Sequence, residues 1–449
     1  MRKLNQIIAA FIVFSTSIPT PGWPMAGRVP DEYREQKRTA FKAEPPLSLG
    51  DCYRLALKHS DNLAMQDIAI EKTWADFLAA AGDTIGDADF KLTHFYQEVQ
   101  HGAAGDAGAT STATRSSRRS RYFTFSQPLF RGFKALAAVR AAGNLRKERT
   151  YERLRAEQLL FYDVAESFYN IVHYQKDIVI TEEIVTYLDE RIKELHEREA
   201  IGRSRPSEVA TAMTRIKTKQ ADLARSRGML SAEKRVMEFL TGVSLDHRTL
   251  IETQEPQVPS SQIETALENI EERADVKAAF LALQIAKRNI TKAQSDLWPE
   301  ISVDGNLYEK REGFQSGIDW DLLLTFDIPL FKGGTTMSAI KAAVSDLKTA
   351  EHTYSEAKRQ AELELKQAWD LWNSSFEELK ALQDAQSASE ENYKLQKEDY
   401  EHNLVNNLDV LEALESFSDA RLNVSRAYSE MNTNYWDFKM SSGDCCDTA

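Results

Sequence analysis

The feature that most constrains this chain is an internal repeat. Residues 125–132 read FSQPLFRG, and residues 326–333 read FDIPLFKG. The two segments are related by an offset of 201 (326 − 125 = 201), and the same offset aligns Gly242 with Gly443. One register therefore holds without a gap from about residue 122 to residue 242. Two unrelated helical segments would not share a Pro-Leu-Phe-x-Gly turn, so the pattern indicates a duplicated structural unit.

The start of each copy follows a second offset. Asp61-Asn-Leu resembles Ala274-Asp-Val at an offset of 213 (274 − 61 = 213). The difference between the offsets places an insertion in the first copy at residues 102–120, whose Gly, Ala, Thr and Ser content is typical of a surface loop. The predicted organisation is a signal peptide at 1–26, a flexible leader at 27–46, a first repeat at 47–242, a linker at 243–262, a second repeat at 263–443 and a tail at 444–449.

The N-terminus has the pattern of a secretory signal peptide. Arg2 and Lys3 precede an apolar run at residues 7–14, and Ala26 closes the stretch that follows. The run is too short to span a bilayer as a helix. An uncleaved N-terminal anchor helix is the alternative.

Each copy is predicted to contain a helix, a β-hairpin, a long helix and a return helix. Ser48 with Asp51 has the pattern of a capping box, which predicts a first helix over residues 48–82. The counterpart in the second copy spans residues 263–297 and stops before Pro299, because proline cannot continue a helix.

A very long helix is predicted over residues 133–201. Apolar residues recur along it every seven positions, at Ile171, Ile178, Val185 and Ile192. This is coiled-coil spacing.

Both long helices are predicted to end in a tight hairpin tip. Gly202 suits the left-handed residue after a helix end, and Pro206 suits the first turn of a return helix over residues 206–241. In the second copy Asn403 takes the position of Gly202, and the return helix covers residues 408–441. Asparagine also tolerates the left-handed conformation.

Alternating side chains predict about four strands. Residues 301–308 and 321–328 alternate between apolar and polar, and residues around Phe90 and Phe125 continue the apolar face in the first copy. Each strand has close to the ~10 residues of a membrane-crossing β-strand, and the smallest such barrels have about eight strands. Because an open sheet edge cannot face hydrocarbon, the chain must oligomerise, and a trimer would supply about twelve strands. A soluble hairpin patch on a coiled-coil protein is the alternative.

Composition and motifs exclude several function classes. The net charge of −13 argues against nucleic-acid binding, which needs a basic face. The sequence contains no HExxH, Walker or nucleophile-elbow motif, so we expect neither an enzyme nor a cofactor or metal site. Cys52, Cys445 and Cys446 form no recognisable disulfide framework.

The order and duplication of these motifs resemble the TolC-like outer-membrane efflux protein family. The resemblance covers about residues 47–443 and rests on LSLGDCYRLAL at 47–57, on both Pro-Leu-Phe-x-Gly turns and on LDVLEA at 408–413. It implies an α+β membrane protein with four transmembrane β-strands and long coiled-coil helices per chain. Three copies would form a 12-stranded outer-membrane β-barrel that continues as a periplasmic α-helical barrel.

The resemblance also implies a function and partners. It implies a passive exit duct of a tripartite efflux or type I secretion system, located in the outer membrane and extending into the periplasm. The implied partners are two further copies of the chain, a periplasmic adaptor protein, an inner-membrane transporter driven by protons or ATP, and outer-membrane lipid. The alternative is a periplasmic coiled-coil adaptor or scaffold without a pore, which would show one helical hairpin between lipoyl-like β segments rather than two hairpins.

Asp409 and Glu412 are the leading candidate site residues. They lie three positions apart, on one face of the second return helix. In a trimer they would form two carboxylate rings at the narrow end, and such rings attract cations. The resemblance points to the same positions as a channel constriction. The alternative is a solvated helix face with a favourable helix-dipole contact.

Other site residues come from the resemblance and the repeat. The resemblance implies that Tyr400 braces the closed state against Ser207 and Glu208, with an ordinary packed aromatic as the alternative. The tip positions expected to dock an adaptor are Gly202, Pro206, Asn403 and Leu408. The strand-to-helix turns are expected at Pro128, Gly132, Pro329 and Gly333.

A cluster of arginines lies in the inserted loop of the first copy, at Arg115, Arg118, Arg119 and Arg121. On an outer-membrane barrel this loop would face lipopolysaccharide phosphates, and arginine pairs well with phosphate. A solvated loop is the alternative.

Overall fold

A computed structural model describes residues 46–96, 117–246, 248–252, 258–259, 263–312, 316–402 and 404–444. The predicted signal peptide, nearly all of the leader, most of the insertion with Arg115, the tip residue Asn403 and the Cys445-Cys446 pair lie outside the described residues.

The described residues form helices and strands in the predicted order. They are α1 (Leu49–His59), α2 (Asp61–Ile85), β1 (Asp87–Tyr96), β2 (Ser117–Arg131), α3 (Lys134–Ala200), α4 (Pro206–Thr241), α5 (Ile263–Glu268), a 3₁₀ turn (Ile270–Glu272), α6 (Ala274–Gln294), a second 3₁₀ turn (Ser295–Leu297), β3 (Glu300–Arg311), β4 (Trp320–Asp327), α7 (Thr335–Glu401) and α8 (Asn407–Ser442).

The long helices reproduce the sequence repeat residue by residue. The two long helices α3 and α7 each contain 67 residues, and the two return helices α4 and α8 each contain 36. Both ends of α7 and α8 follow the matching ends of α3 and α4 at the offset of 201 found in the sequence (335 − 134 = 201 and 407 − 206 = 201). Gly202 has a φ of 74°, the left-handed conformation expected after a helix end.

The first helix of each copy is broken, so the expectation of one helix over residues 48–82 was wrong. The predicted capping box of Ser48 and Asp51 is present and opens α1. Ser60 then adopts an extended conformation, ends α1 and caps α2 by accepting a hydrogen bond from the Leu63 amide. Arg273, at the matching position of the second copy, is extended as well. Apolar periodicity does not report such a break, because it continues across it.

The helices pack as side-by-side columns. Helix α3 contacts α2 and α6 towards the sheet, and α4 and α8 towards the tips. Helix α7 contacts α6 and α8. The column formed by α2 and α4 and the column formed by α7 therefore lie on opposite flanks of the described part of the chain. Exposed apolar side chains mark both flanks: Met65, Ile68, Trp74 and Leu78 on α2, Met229 and Phe239 on α4, and Met337, Leu363, Leu371 and Leu395 on α7.

The core consists of separate clusters along the columns. Phe161 of α3 and Trp436 of α8 meet edge to face at 4.9 Å in the cluster beneath α1. Trp372 and Phe438 stack in the cluster between α7 and α8. Near the tips the predicted heptad position Ile192 is buried, whereas at the preceding one Ile184 is buried and Val185 is only partly buried against the same cluster. This cluster also contains Leu188, Ile192, Leu195, Val209, Leu411 and Leu414.

The strands form one antiparallel sheet in the order β1-β2-β3-β4. Its two hairpins, β1-β2 and β3-β4, are joined by pairing of β2 with β3, where Ser126 lies opposite Asp304. None of the helices in the described ranges is both long and apolar enough to cross a membrane.

The two faces of the sheet differ in polarity, as predicted. One face carries exposed apolar residues from every strand, namely Phe90, Leu92, Phe123, Phe125, Leu307, Trp320, Leu322, Leu324 and Phe326. On the other face Asp304 accepts a hydrogen bond of 2.6 Å from the Ser126 hydroxyl. Asp321 accepts hydrogen bonds from Asn306 (2.7 Å) and Tyr308 (3.0 Å) on the same polar face.

Candidate functional site

The second hairpin tip begins with a capping box that involves a predicted constriction residue. The side-chain oxygen of Asn406 accepts hydrogen bonds from the amides of Leu408 (2.7 Å) and Asp409 (3.2 Å). The Asp409 carboxylate in turn accepts one from the Asn406 amide at 3.0 Å. Asp409 therefore has a local capping role. The pattern Asn-x-x-Asp in the sequence could have revealed it.

Glu412 lies one turn further along α8 and is exposed, whereas Asp409 is half-buried. The first copy has Glu208 at the position of Asp409, and its carboxylate accepts a hydrogen bond of 2.9 Å from the Ser204 hydroxyl. Both tips therefore place a carboxylate in the first turn of the return helix, where the helix dipole favours negative charge.

Tyr400 is buried against the first hairpin. Its ring lies under the guanidinium carbon of Arg191, 3.7 Å from the ring centroid, and that of Arg198, at 4.3 Å. Both arginines belong to α3. Cation–π contacts of this kind stabilise a desolvated arginine. Ser207 is exposed, and its carbonyl accepts a hydrogen bond from the Thr211 hydroxyl. A contact of Tyr400 with Ser207 and Glu208 stays a prediction.

Arg191 links the two hairpins. Its Nε donates a hydrogen bond of 2.8 Å to the side-chain oxygen of Asn407, which is 2% exposed. Glu194 pairs with Arg191 at 2.5 Å and with Arg198 at 2.9 Å, so one carboxylate serves both guanidinium groups. Sequence reasoning missed this network, because the arginines of α3 are far in the chain from Tyr400 and Asn407 and no motif joins them.

A ladder of ion pairs continues the contact between the hairpins away from the tips. Arg215 of α4 donates to the Leu411 carbonyl at 2.8 Å and pairs with Glu415 of α8. Lys219 pairs with Asp419 at 3.2 Å. On the other side of α8, Arg421 pairs with Glu183 of α3 at 2.7 Å.

Two buried polar clusters lie between the tips and the sheet. Arg273, whose side chain is 1% exposed, pairs with Asp275 at 2.7 Å and with Glu364, and Arg155 reaches Glu364 at 3.3 Å. Burial alone would raise the pKa of Asp275, but the hydrogen bonds and charge of Arg273 outweigh it and hold this pKa below its ordinary value.

The second buried cluster contains a histidine. His173 of α3 lies 3.4 Å from Asp177 and 3.2 Å from the hydroxyl of Ser425 on α8. Burial lowers the pKa of His173, although the Asp177 carboxylate opposes this. No group of three His, Cys, Asp or Glu side chains in the described part of the chain could hold a metal ion.

The strand-to-helix turns differ between the copies. Gly132 has a φ of 56°, and a Cβ at this position would lie 2.5 Å from the Ser295 carbonyl oxygen. Gly333 has a φ of 59°, with no atom of the described residues within 4 Å of such a Cβ. Pro128 lies at an irregularity in the pairing of β2 with β3. Pro329 follows the end of β4.

Comparison with known proteins identifies this architecture. A family model described as outer membrane efflux protein matches residues 265–437. The cation efflux system protein CusC of Escherichia coli (strain K12) is 21% identical over 395 residues, which are 84% of this chain and 83% of CusC. The outer membrane protein OprJ of Pseudomonas aeruginosa is 29% identical over 158 residues, 34% of this chain and 33% of OprJ.

Solved structures share the fold over most of the chain. The outer membrane protein VceC of Vibrio cholerae superposes with a TM-score of 0.76 at 18% identity, covering 88% of this chain and 96% of VceC. CusC superposes with a TM-score of 0.75 at 18% identity, covering 91% and 95%. The Campylobacter jejuni CmeC outer membrane channel does so with a TM-score of 0.75 at 16% identity, covering 95% and 94%.

These likenesses confirm the predicted fold class and favour a channel over the adaptor or scaffold alternative. Two helical hairpins and a four-stranded sheet occur together in the described chain, whereas an adaptor would carry one hairpin. Residues 265–437 therefore match the outer membrane efflux protein family, and over most of its length the chain is similar to outer-membrane efflux channels, which are transport proteins and not enzymes.

Proposed function

We propose that three copies of this chain close into one channel that serves as the exit duct of a tripartite efflux system. The observation that carries the proposal is the pair of unpaired sheet edges. Within the described residues, β1 and β4 each pair with one strand only. Unpaired backbone groups are costly in hydrocarbon, so a sheet with an exposed apolar face needs neighbouring copies to close it.

The helical flanks support the same closure. The exposed apolar residues of α2 and α4 lie on one flank of the described chain, where β1 follows α2, and those of α7 lie on the other flank, where α7 follows β4. Exposed apolar side chains gathered on two flanks in this way are typical of an interaction surface. A head-to-tail contact that joins the two flanks generates a closed ring.

Asp409 and Glu412 form the constriction of this channel in our proposal. Three copies would place six carboxylates, two from each chain, around the axis at the tips. Because Asp409 is held by the capping box, its position is fixed relative to α8. Such rings favour cations over anions. Tyr400, packed on Arg191 and Arg198, would hold the second hairpin against the first when the tips are closed.

The implied partners of the duct are a periplasmic adaptor and an inner-membrane transporter. Adaptor docking is proposed at the tips, where Gly202, Pro206 and Leu408 are exposed, with Asn403 in the same region of the chain. Efflux is favoured over type I secretion because the relative CusC is named as a cation efflux system protein.

The sheet is proposed to contact outer-membrane lipid through its apolar face. Arg119 and Arg121 continue this face beyond Phe123 towards the end of the hairpin remote from the helices, and both are exposed. They are placed to meet lipid phosphate.

The organisation proposed for the chain is the one that its sequence predicts. Residues 1–26 act as a signal peptide, followed by a leader at 27–46, a first repeat at 47–242, a linker at 243–262, a second repeat at 263–443 and a tail at 444–449.

The test is the mass and the conductance of the purified protein. Native mass spectrometry in detergent should find three chains per particle, and planar bilayers should show stable single-channel currents. Solitary chains without pore activity would contradict the proposal.

A further inference from the structure

The two hairpins of the sheet are related by the same offsets as the sequence. In the first hairpin Asp87 lies opposite Ser126, and in the second Glu300 lies opposite Asp327. Glu300 follows Asp87 at the offset of 213 (300 − 87 = 213), and Asp327 follows Ser126 at the offset of 201 (327 − 126 = 201). The pairing in one copy therefore predicts the pairing in the other.

The contact between β2 and β3 joins the first repeat to the second within one chain. A ring of identical chains needs a second joint of the same kind, between β4 of one copy and β1 of the next. Ser126 on β2 pairs with Asp304 on β3. The residue that matches Ser126 on β4 is Asp327 (126 + 201 = 327), and the residue that matches Asp304 on β1 is Lys91 (304 − 213 = 91). The second joint should therefore pair Asp327 of one copy with Lys91 of the next.

We propose that β4 pairs antiparallel with β1 of the neighbouring copy with Asp327 opposite Lys91, Thr325 opposite Thr93 and Leu323 opposite Phe95. This inference rests on the proposed trimeric channel and specifies its strand register. In this register the apolar face of one copy continues into the apolar face of the next. Phe326, for example, lies opposite Leu92.

Charge supports the register at two positions. Among the described residues of its own chain, Lys91 has one ion pair, a long one of 3.9 Å to Asp89. Asp327 makes no ion pair with the other described residues of its chain. The proposed joint brings them together. Directly opposed unlike charges stabilise antiparallel strands.

The second charge match comes from the start of the strands. Within one chain Arg131 and Glu300 form an ion pair beside the strand-to-helix turn. The offsets convert this pair into Lys332 of one copy and Asp87 of the next. Both side chains are exposed, and neither makes an ion pair with the described residues of its own chain. The matching pair therefore keeps one positive and one negative charge, with Lys332 in place of Arg131 and Asp87 in place of Glu300.

An apolar match is independent of the charges. The polar face of β1 contains one large apolar residue, Phe95, and the polar face of β4 contains one, Leu323; they are 51% and 60% exposed. The proposed register places these two exceptions directly opposite each other. A cross-strand aromatic and aliphatic pair stabilises a sheet.

Slipped registers lose these matches. A slip by a single position would turn apolar side chains onto the polar face. A slip of two residues in one direction places Asp327 opposite Asp89, which are like charges. The same slip places Leu323 opposite Thr93, so the apolar pair is lost. A slip of two in the other direction leaves Asp327 opposite Thr93 and Leu323 beyond Tyr96, the last described residue of β1.

Contacts at the ends of the strands nearest the helices support the same joint. Within the chain Phe130 packs edge to face with Trp298, at 6.4 Å between centroids. The same two offsets predict a contact between Phe331 of one copy and Ile85 of the next. These residues are 87% and 72% exposed in the single chain. The neighbouring copy would cover both.

Disulfide trapping tests the register in the full-length protein. Cys445 and Cys446 are first replaced by serine, and Thr93→Cys is combined with Thr325→Cys. Directly opposite residues can be bridged, whereas residues two positions away lie beyond disulfide reach. The matched controls are Thr325→Cys with Lys91→Cys, Thr325→Cys with Phe95→Cys, and each single variant.

Oxidation should join the Thr93 and Thr325 variant into covalent trimers, with at least about tenfold more product than either slipped pair. Stronger trapping in a slipped pair, or no trapping in a particle of three chains, would overturn the register while leaving the proposed channel intact. Solitary chains in native mass spectrometry would refute the channel itself.

A charge exchange provides a second readout. Lys91→Asp should lower the temperature at which the assembly dissociates, because it sets two carboxylates opposite each other, and Lys91→Asp with Asp327→Lys should restore it. Equal dissociation temperatures for the single and the exchanged variants would argue against the pairing of these residues.

Discussion

The Nε of Arg191 donates a hydrogen bond of 2.8 Å to the side-chain oxygen of Asn407, the first residue of α8. The same guanidinium lies 3.7 Å from the ring centroid of Tyr400, the residue before the last of α7. One side chain of the first hairpin therefore holds both helices of the second hairpin at its tip. Hydrogen bonds to charged groups contribute about 1.5–3 kcal/mol, so Arg191 is placed to hold the two hairpins of one chain together.

Arg191→Ala should raise the single-channel conductance in planar bilayers. The substitution removes the hydrogen bond to Asn407 and one cation–π contact of Tyr400, which frees the second hairpin to move away from the first. Arg205→Ala is the matched control, because Arg205 is an exposed tip residue without an ion pair among the described residues. Unchanged conductance in Arg191→Ala would show that this network does not restrain the pore.

Asp409→Asn with Glu412→Gln should weaken the block of the channel by multivalent cations. The amide oxygen introduced by Asp409→Asn can still accept the hydrogen bond of the Asn406 amide, so the substitution removes the charge and keeps the cap. The blocking concentration should rise by roughly tenfold or more, which corresponds to about 1.4 kcal/mol of lost attraction.

The control for this double variant is Glu430→Gln, which removes an exposed carboxylate further along the same helix. It should leave the block unchanged. If the double variant is blocked at the same concentration as the native channel, Asp409 and Glu412 do not form the constriction.

Asp275→Asn should destabilise the protein at neutral pH. Burial alone would raise the pKa of Asp275 above its ordinary value of 3.8, but the hydrogen bonds and charge of Arg273 lower the pKa by more than burial raises it. A carboxyl group with a lowered folded-state pKa adds stability at pH values above 3.8, and this stability is lost as the pH falls through the folded-state pKa. The substitution should therefore lower the thermal midpoint at pH 7 and have a smaller effect as the pH falls below 3.8.

The midpoint is measured by circular dichroism in detergent at several pH values. Asp384→Asn is the control, because Asp384 is exposed on α7 without an ion pair in the described part of the chain. A destabilisation of Asp275→Asn that does not depend on pH would assign the effect to packing and not to charge.

Sequence predicted the long helices and the strands well because their ends carry local signals. Gly202 and Pro206 mark the first tip, and the fixed offset then transfers the bounds to the second copy. The break at Ser60 was missed, since no proline or glycine marks it. The contacts of Arg191 with Asn407 and Tyr400 were missed because they depend on the packing of α3 against α7 and α8, which no local pattern encodes.

The strand-to-helix turns provide a comparison matched by the repeat itself. Gly132→Ala and Gly333→Ala both place a Cβ on a left-handed residue, at a cost of roughly 1–2 kcal/mol each. Only at Gly132 would the new Cβ also lie 2.5 Å from the Ser295 carbonyl oxygen. Gly132→Ala should therefore lower the thermal midpoint of the solitary chain more than Gly333→Ala does; in the assembled channel the proposed joint would bring Gly82 of the neighbouring copy to Gly333 by the same offsets (333 − 132 = 201 and 295 − 82 = 213). Equal losses would show that the conformation of the glycine, and not the approach of Ser295, decides its use at this turn.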